Sequence, residues 1–112
     1  MIEKIIIEYL NANLEDVKAY MERPKDPGKQ YILIEKTGTH EENHIRHSTI
    51  AIQSIAPSLY GAASLDEDVI SLMMNAISMD DISSVKLNSD YNFTNWESKQ
   101  YRYQAVFDIT HY

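Results

Sequence analysis

At 112 residues, 44% hydrophobic and 24% charged, the chain has the size and balance of one globular domain with a modest single core. Seventeen Asp and Glu against ten Lys and Arg leave a net charge of −7, which repels phosphate backbones and argues against a nucleic-acid partner. Cysteine is absent, which excludes disulfides, thiolate metal sites and cysteine nucleophiles.

No apolar run approaches the ~20 residues a bilayer-spanning helix needs. The opening run around Ile5, Ile6 and Ile7 is interrupted by Glu3 and Glu8 and is followed by no small-residue cleavage site, so it reads as an amphipathic helix and not as a signal peptide. The expectation is a protein made in a cytoplasm and kept there unless it leaves as part of something larger, with no membrane partner.

Ile2, Ile5, Ile6, Tyr9, Leu10 and Leu14 recur at helical spacing with Glu3, Lys4 and Glu8 between them, predicting a first helix with one buried stripe. Val17–Met21 alternates and predicts a short strand. Arg23–Lys29 holds two of the three prolines and one of the three glycines, the chemistry of an exposed loop. Tyr31–Lys36 follows as a strand apolar on both faces. Gly38–Asn43 reads as a polar hairpin loop, and Ile45–Ile55 as the strand returning from it.

Pro57 and Ser58 open a second helix, with Ser58 suited to cap it. Its stripe runs through Leu59, Ala62, Ala63, Val69, Ile70, Met73, Ala76 and Ile77, and Asp66, Glu67 and Asp68 read as its solvated face. After an aspartate-rich connector over Met79–Ile82, Ser83–Phe93 predicts a strand with Val85, Leu87, Ser89, Tyr91 and Phe93 on one face. Asn95–Ser98 turns the chain into the clearest element, Lys99–Tyr112. There Tyr101, Tyr103, Ala105, Phe107 and Ile109 fall on one side, and Arg102, Gln104, Asp108 and Thr110 on the other, with Val106 the apolar exception. The predicted fold is a single α+β domain over residues 1–112, in the order α-β-β-β-α-β-β. Two helices pack on one face of a mainly antiparallel sheet of about five strands. The open edges of such a sheet pair readily with another chain unless something blunts them.

Chemistry-bearing constellations are few. His40, Glu41, Glu42, His44 and His47 cluster within eight residues. The odd separation of His44 and His47 sends them to opposite faces of a strand and Arg46 between them repels a cation, so the run reads as a polar hairpin tip with no metal. The carboxylates of Glu35, Asp80, Asp81, Asp90 and Asp108 suggest no acid–base pair. No glycine-flanked serine elbow appears, and Gly28, Gly38 and Gly61 make no phosphate loop. The expectation is a protein that is not an enzyme and has no cofactor. Tyr91, Phe93, Trp96, Tyr101 and Tyr103 concentrate around the last hairpin, where cross-strand packing and a protein–protein surface are equally good readings. Trp96, at the turn, is the residue best placed to reach a partner. Tyr91, Tyr101 and Tyr103 join it as candidate interface residues. Asp26 and Lys29 in the first loop, and His40, Glu41 and Glu42 at the hairpin tip, complete the set, because both segments are placed to dock during assembly.

The segments MIEKIIIEYLNANL, YILIEKTG, EENHI, TIAIQSIAPSLYGAA, ISSVKLNSDYNFT and KQYRYQAVFDITHY resemble, essentially end to end, a family of small structural proteins from the head–tail modules of long-tailed phages and prophages of Gram-positive bacteria. The layout of elements is similar to that of tail terminator or head–tail joining proteins, in which six copies form a ring that caps the tail tube. What the resemblance implies is a homo-oligomer that meets the tail tube protein on one side and the head connector protein on the other. It would be assembled in the host cytoplasm and located at the head–tail junction of the virion. The resemblance transfers no residue by position. Another connector or tail completion protein is the near alternative. A small-molecule binding module using the aromatic hairpin is a more distant one, and an enzyme centred on His40–His47 the most distant.

Overall fold

The alternating C-terminal run lies within the sheet and organises the rest of it. A computed structural model describes residues 1–112 as α1 (Ile2–Asn13), β1 (Lys18–Tyr20), β2 (Tyr31–Glu42), β3 (Ile45–Ala56), α2 (Leu59–Asn75), β4 (Ile82–Asn92) and β5 (Tyr101–His111), with one 3-10 turn at Ala76–Ser78. One five-stranded sheet has the order β1-β2-β3-β5-β4. β3 and β4 both run antiparallel to β5, so they are parallel to each other, and α2 is the crossover between them. This is the predicted α+β layout, with two helices and a mostly antiparallel sheet.

One apolar cluster joins both helices to the same face of the sheet. Ile32, Ile34, Ile50, Ile52, Ala105, Phe107 and Ile109 supply the sheet side, Ile2, Ile6 and Leu10 come from α1, and Leu65, Val69 and Met73 come from α2. Each large side chain here is removed from water almost completely, a gain of about 1.5–3 kcal/mol apiece. α2 starts where the sequence places it: Ser58 has an extended backbone, and its hydroxyl accepts from the Gly61 N–H at 2.9 Å.

Four expectations change. The segment Gly38–Asn43 is not a loop, because β2 runs on to Glu42 and pairs with β3 as far as Glu42↔Ile45. Only Asn43 and His44 turn, both with positive φ (52° and 68°), the geometry of a two-residue hairpin whose twist matches its strands. β1 is reduced to three residues and pairs parallel to β2, since Met21–Gln30 is long enough to carry the chain back to the same end of the sheet. Asp66 leaves the solvated face of α2 and is 1% exposed, while Glu67 and Asp68 remain in water. Finally, the register of β4 shifts between Leu87 and Ser89. Val85 and Leu87 stand opposite the inward Ile109 and Phe107, but beyond this bulge Asp90 stands opposite the inward Ala105 and Tyr91 opposite the outward Gln104. One extra residue reverses a period-two pattern, which is why Ser89 and Tyr91 do not share a face with Val85.

Candidate interaction surface

β4 is an outermost strand of eleven residues paired within the sheet along one side only; Ile82 and Val85 are buried and the rest are half-buried or exposed. Exposed strand edges of this length are usually shortened, charged or covered. Here Lys86 and two bulges, after Ile82 and after Leu87, interrupt the edge without covering it.

At the far end of this edge the chain builds an aromatic rim. On the open side of the sheet, Tyr91 and Phe93 meet edge to face with ring centroids 5.8 Å apart, and both are 40% exposed. The Arg102 guanidinium lies 4.7 Å from the Phe93 ring centroid, and its Nε donates to the Phe93 carbonyl at 2.6 Å. Gln104 donates to the Tyr91 hydroxyl, fixing that ring. In the connecting segment the Asn95 side chain accepts from the N–H groups of Glu97 and Ser98 at 3.2 and 3.3 Å, and Asn95 bridges to Gln100. This turn holds Trp96 61% exposed, edge-on to Tyr101 at 6.1 Å.

The five aromatics gathered by the sequence are therefore divided. Tyr91 and Phe93 face outward, whereas Tyr101 and Tyr103 share the inward side of β5 with Ala105 and are partly buried, with Trp96 at their margin. Arg102, which braces the outward pair, is a surface residue that sequence reasoning missed. Its proximity to Phe93 depends on the β4–β5 register, and nothing local signals it.

The remaining predicted interface residues occupy two poles. Asp26 and Lys29 are exposed in the loop after β1. That loop is tied to the aromatic end through Tyr31, whose hydroxyl accepts from Arg23 at 3.3 Å and from Gln100 at 3.2 Å. His40, Glu41 and Glu42 lie at the other end of the molecule, whose longest dimension is 44 Å. There His40 stacks on His47 across the hairpin at 4.7 Å, and Arg46 pairs with Glu41 at 3.3 Å. Pairing across the hairpin, and not the sequence spacing of His44 and His47, brings two imidazoles together. No group of three or more His, Asp or Glu converges on a metal position.

A Ser–His contact formed across 63 residues also escaped sequence reasoning: Ser48 Oγ and His111 Nε2 are 2.8 Å apart, with Thr39 Oγ1 at 3.1 Å from Ser48. Both residues are buried, and burial pushes the His111 imidazole below its ordinary value of 6.5, partly opposed by the Tyr112 carbonyl and reinforced by Arg46 and Lys36. A neutral imidazole satisfied on both nitrogens is a buried polar bracket between β3 and β5. The largest concavity, about 590 Å³, lies between the end of α1 and the start of α2, where Leu14, Val17, Tyr60, Leu65 and Leu72 are interspersed with Glu15 and Asp68. No helix is long and apolar enough to cross a membrane. No protein-family model matches the chain, and no curated protein matches it.

Proposed function

We propose that this chain is a self-assembling structural protein of a phage head–tail junction, a tail terminator or head–tail joining factor whose copies form a ring between the tail tube protein and the head connector. The observation that supports this reading is the sheet edge formed by the outermost strand β4, exposed over most of its length and rimmed by Tyr91 and Phe93. A lateral edge of unpaired backbone groups suits pairing between copies. Where this edge meets a different surface of the next copy, and not its own β4, the contact is heterologous and closes into a ring when the rotation per subunit divides a full turn. The two poles, one carrying Trp96, Asp26 and Lys29 and the other His40, Glu41 and Glu42, then serve the two axial partners. In this role the chain acts without a cofactor and without catalysis, and its place is the virion.

The test is mass in solution by light scattering, for the chain alone and with its tail tube protein, followed by electron microscopy of the tubes. The expected result is a hexamer, or a monomer recruited to tube ends. Replacing Tyr91 with Lys should reduce self-association at least tenfold, and Trp96→Ala should reduce recruitment, each with the thermal midpoint held, because both side chains are substantially exposed. A monomer that ignores tubes but binds the connector would assign the chain to the connector side. A monomer indifferent to both would remove the assembly reading.

A further inference from the structure

A buried carboxylate needs a cation, a set of donors or a proton, because an isolated charge in a low-dielectric interior is too costly to keep. Asp66 on α2 is 1% exposed, and its Oδ1 has no hydrogen-bond partner. The ion pairs of the fold lie elsewhere, at Lys4–Glu8, Lys36–Glu3 and Arg46–Glu41. The group facing it from β4 is a second acid. The bulge after Leu87 places Asp90 on the helix-facing side of β4, opposite Ala105, where its charge acts on the buried Asp66 of α2. Without that extra residue Asp90 would point away from α2.

The other elements offer no compensating charge. From β3 and β5, the inward positions beside this point are the neutral Ser54 and Ala105 and the phenol of Tyr103. α1 reaches α2 more than a turn away, where the Tyr9 hydroxyl donates to the Leu72 carbonyl at 2.6 Å. On α2 itself the neighbour is Glu67, a further negative charge.

Two ionised carboxylates have no hydrogen between them, so a hydrogen bond joining them requires one proton for the pair. The buried member holds it, since the negative charge is better solvated on the exposed Asp90. We propose that a proton shared between Asp66 and Asp90 latches α2 to the edge strand β4, and that its loss loosens this edge of the sheet. The latch belongs to the single chain and is independent of what β4 pairs with. Burial first, then the hydrogen bond to Asp90 and its charge, and last the charge of Glu67, raise the Asp66 carboxyl to about 8, which places the release just above neutrality.

The experiment is a carboxyl-carbon NMR titration of the full-length chain from about pH 5 to 9.5, with amide exchange of the β4–β5 ladder measured at each point and corrected for intrinsic base catalysis. The Asp66 carboxyl is expected to titrate near 8, and β4 amides to exchange roughly tenfold faster across the same range. The Asp66→Asn variant, whose amide donates without a titrating proton, should show flat exchange. Should that variant fail to fold, Asp90→Asn provides the second reading by moving the Asp66 titration downward. An Asp66 carboxyl that titrates in the ordinary range, or exchange in the wild-type chain that stays flat while Asp66 titrates, overturns the proposal. So does a shift of both carboxyl resonances by millimolar Ca²⁺ or Mg²⁺ at neutral pH, which would make the pair a cation site.

Discussion

Phe107 shows how a single residue sets the stability of this fold. It sits at the centre of β5, fully buried, and Leu87 and Ile50 flank it across the ladder on either side. Phe107→Ala should cost about 3–5 kcal/mol, because the transfer energy of the ring is lost and a cavity is left between sheet and helices. Urea unfolding should report this as a lower midpoint with an unchanged slope. Two titrating residues tilt stability with pH in opposite senses. Asp66, raised from 3.8 to about 8, binds a proton in the folded chain that the unfolded chain releases. Its contribution is therefore complete below the ordinary carboxylate range and is lost as pH rises through about 8. His111 is lowered from 6.5, so the unfolded chain is the better proton binder, and stability is lost as pH falls below 6.5. Replacing His111 with Gln should flatten the fall of the thermal midpoint below pH 6.5, and differential scanning calorimetry through that region checks it. Neither shift was legible in the sequence. Asp66 read as one of three solvated acids and His111 as the end of a strand, and both are perturbed first by burial and then by charges that include ones from distant segments.

Among the elements, α2 was the more readable helix because its start is written in local chemistry. Ser58 caps it, and Ser58→Ala should cost about 1 kcal/mol, measurable as a drop in thermal midpoint. Gly61, in the first turn, makes a useful contrast. A methyl group there would stand 3.0 Å from Ser58 Oγ and 3.2 Å from Ala56 Cβ, so the helix propensity that alanine adds is offset by crowding of the cap. The strands were legible as far as their alternation holds. β5 matches its predicted faces because it keeps one register along its whole length, whereas β4 carries two register shifts. A bulge is set by how the two paired strands twist and pack, and Asn88 carries no mark of it in the one-dimensional pattern. The β2–β3 hairpin was misjudged for a related reason. Its distal half is polar on both faces, so composition reads as loop, yet the ladder continues because backbone pairing does not require buried side chains.

For the whole molecule, net charge bears on the proposed ring assembly. A chain of charge −7 repels its own copies at low salt, so the self-association proposed through β4 should strengthen as ionic strength rises from about 0.01 to 0.15 M. Sedimentation velocity across that series checks this, and association that weakens with salt would point to a charged interface instead. The separation of the two poles follows from strand length, since twelve-residue strands carry the hairpin tip far from the β4–β5 turn.

The sequence by itself determined the element order, the α+β class and the single core, because apolar periodicity and capping are local properties written residue by residue. It also set the net charge. Only the tertiary structure decided which aromatics face outward, that Asp66 is buried with Asp90 turned to the helix-facing side of β4, and that β4 rather than β5 forms the open edge. Those outcomes depend on strand order and on one extra residue in a ladder, and register couples residues that no local pattern connects.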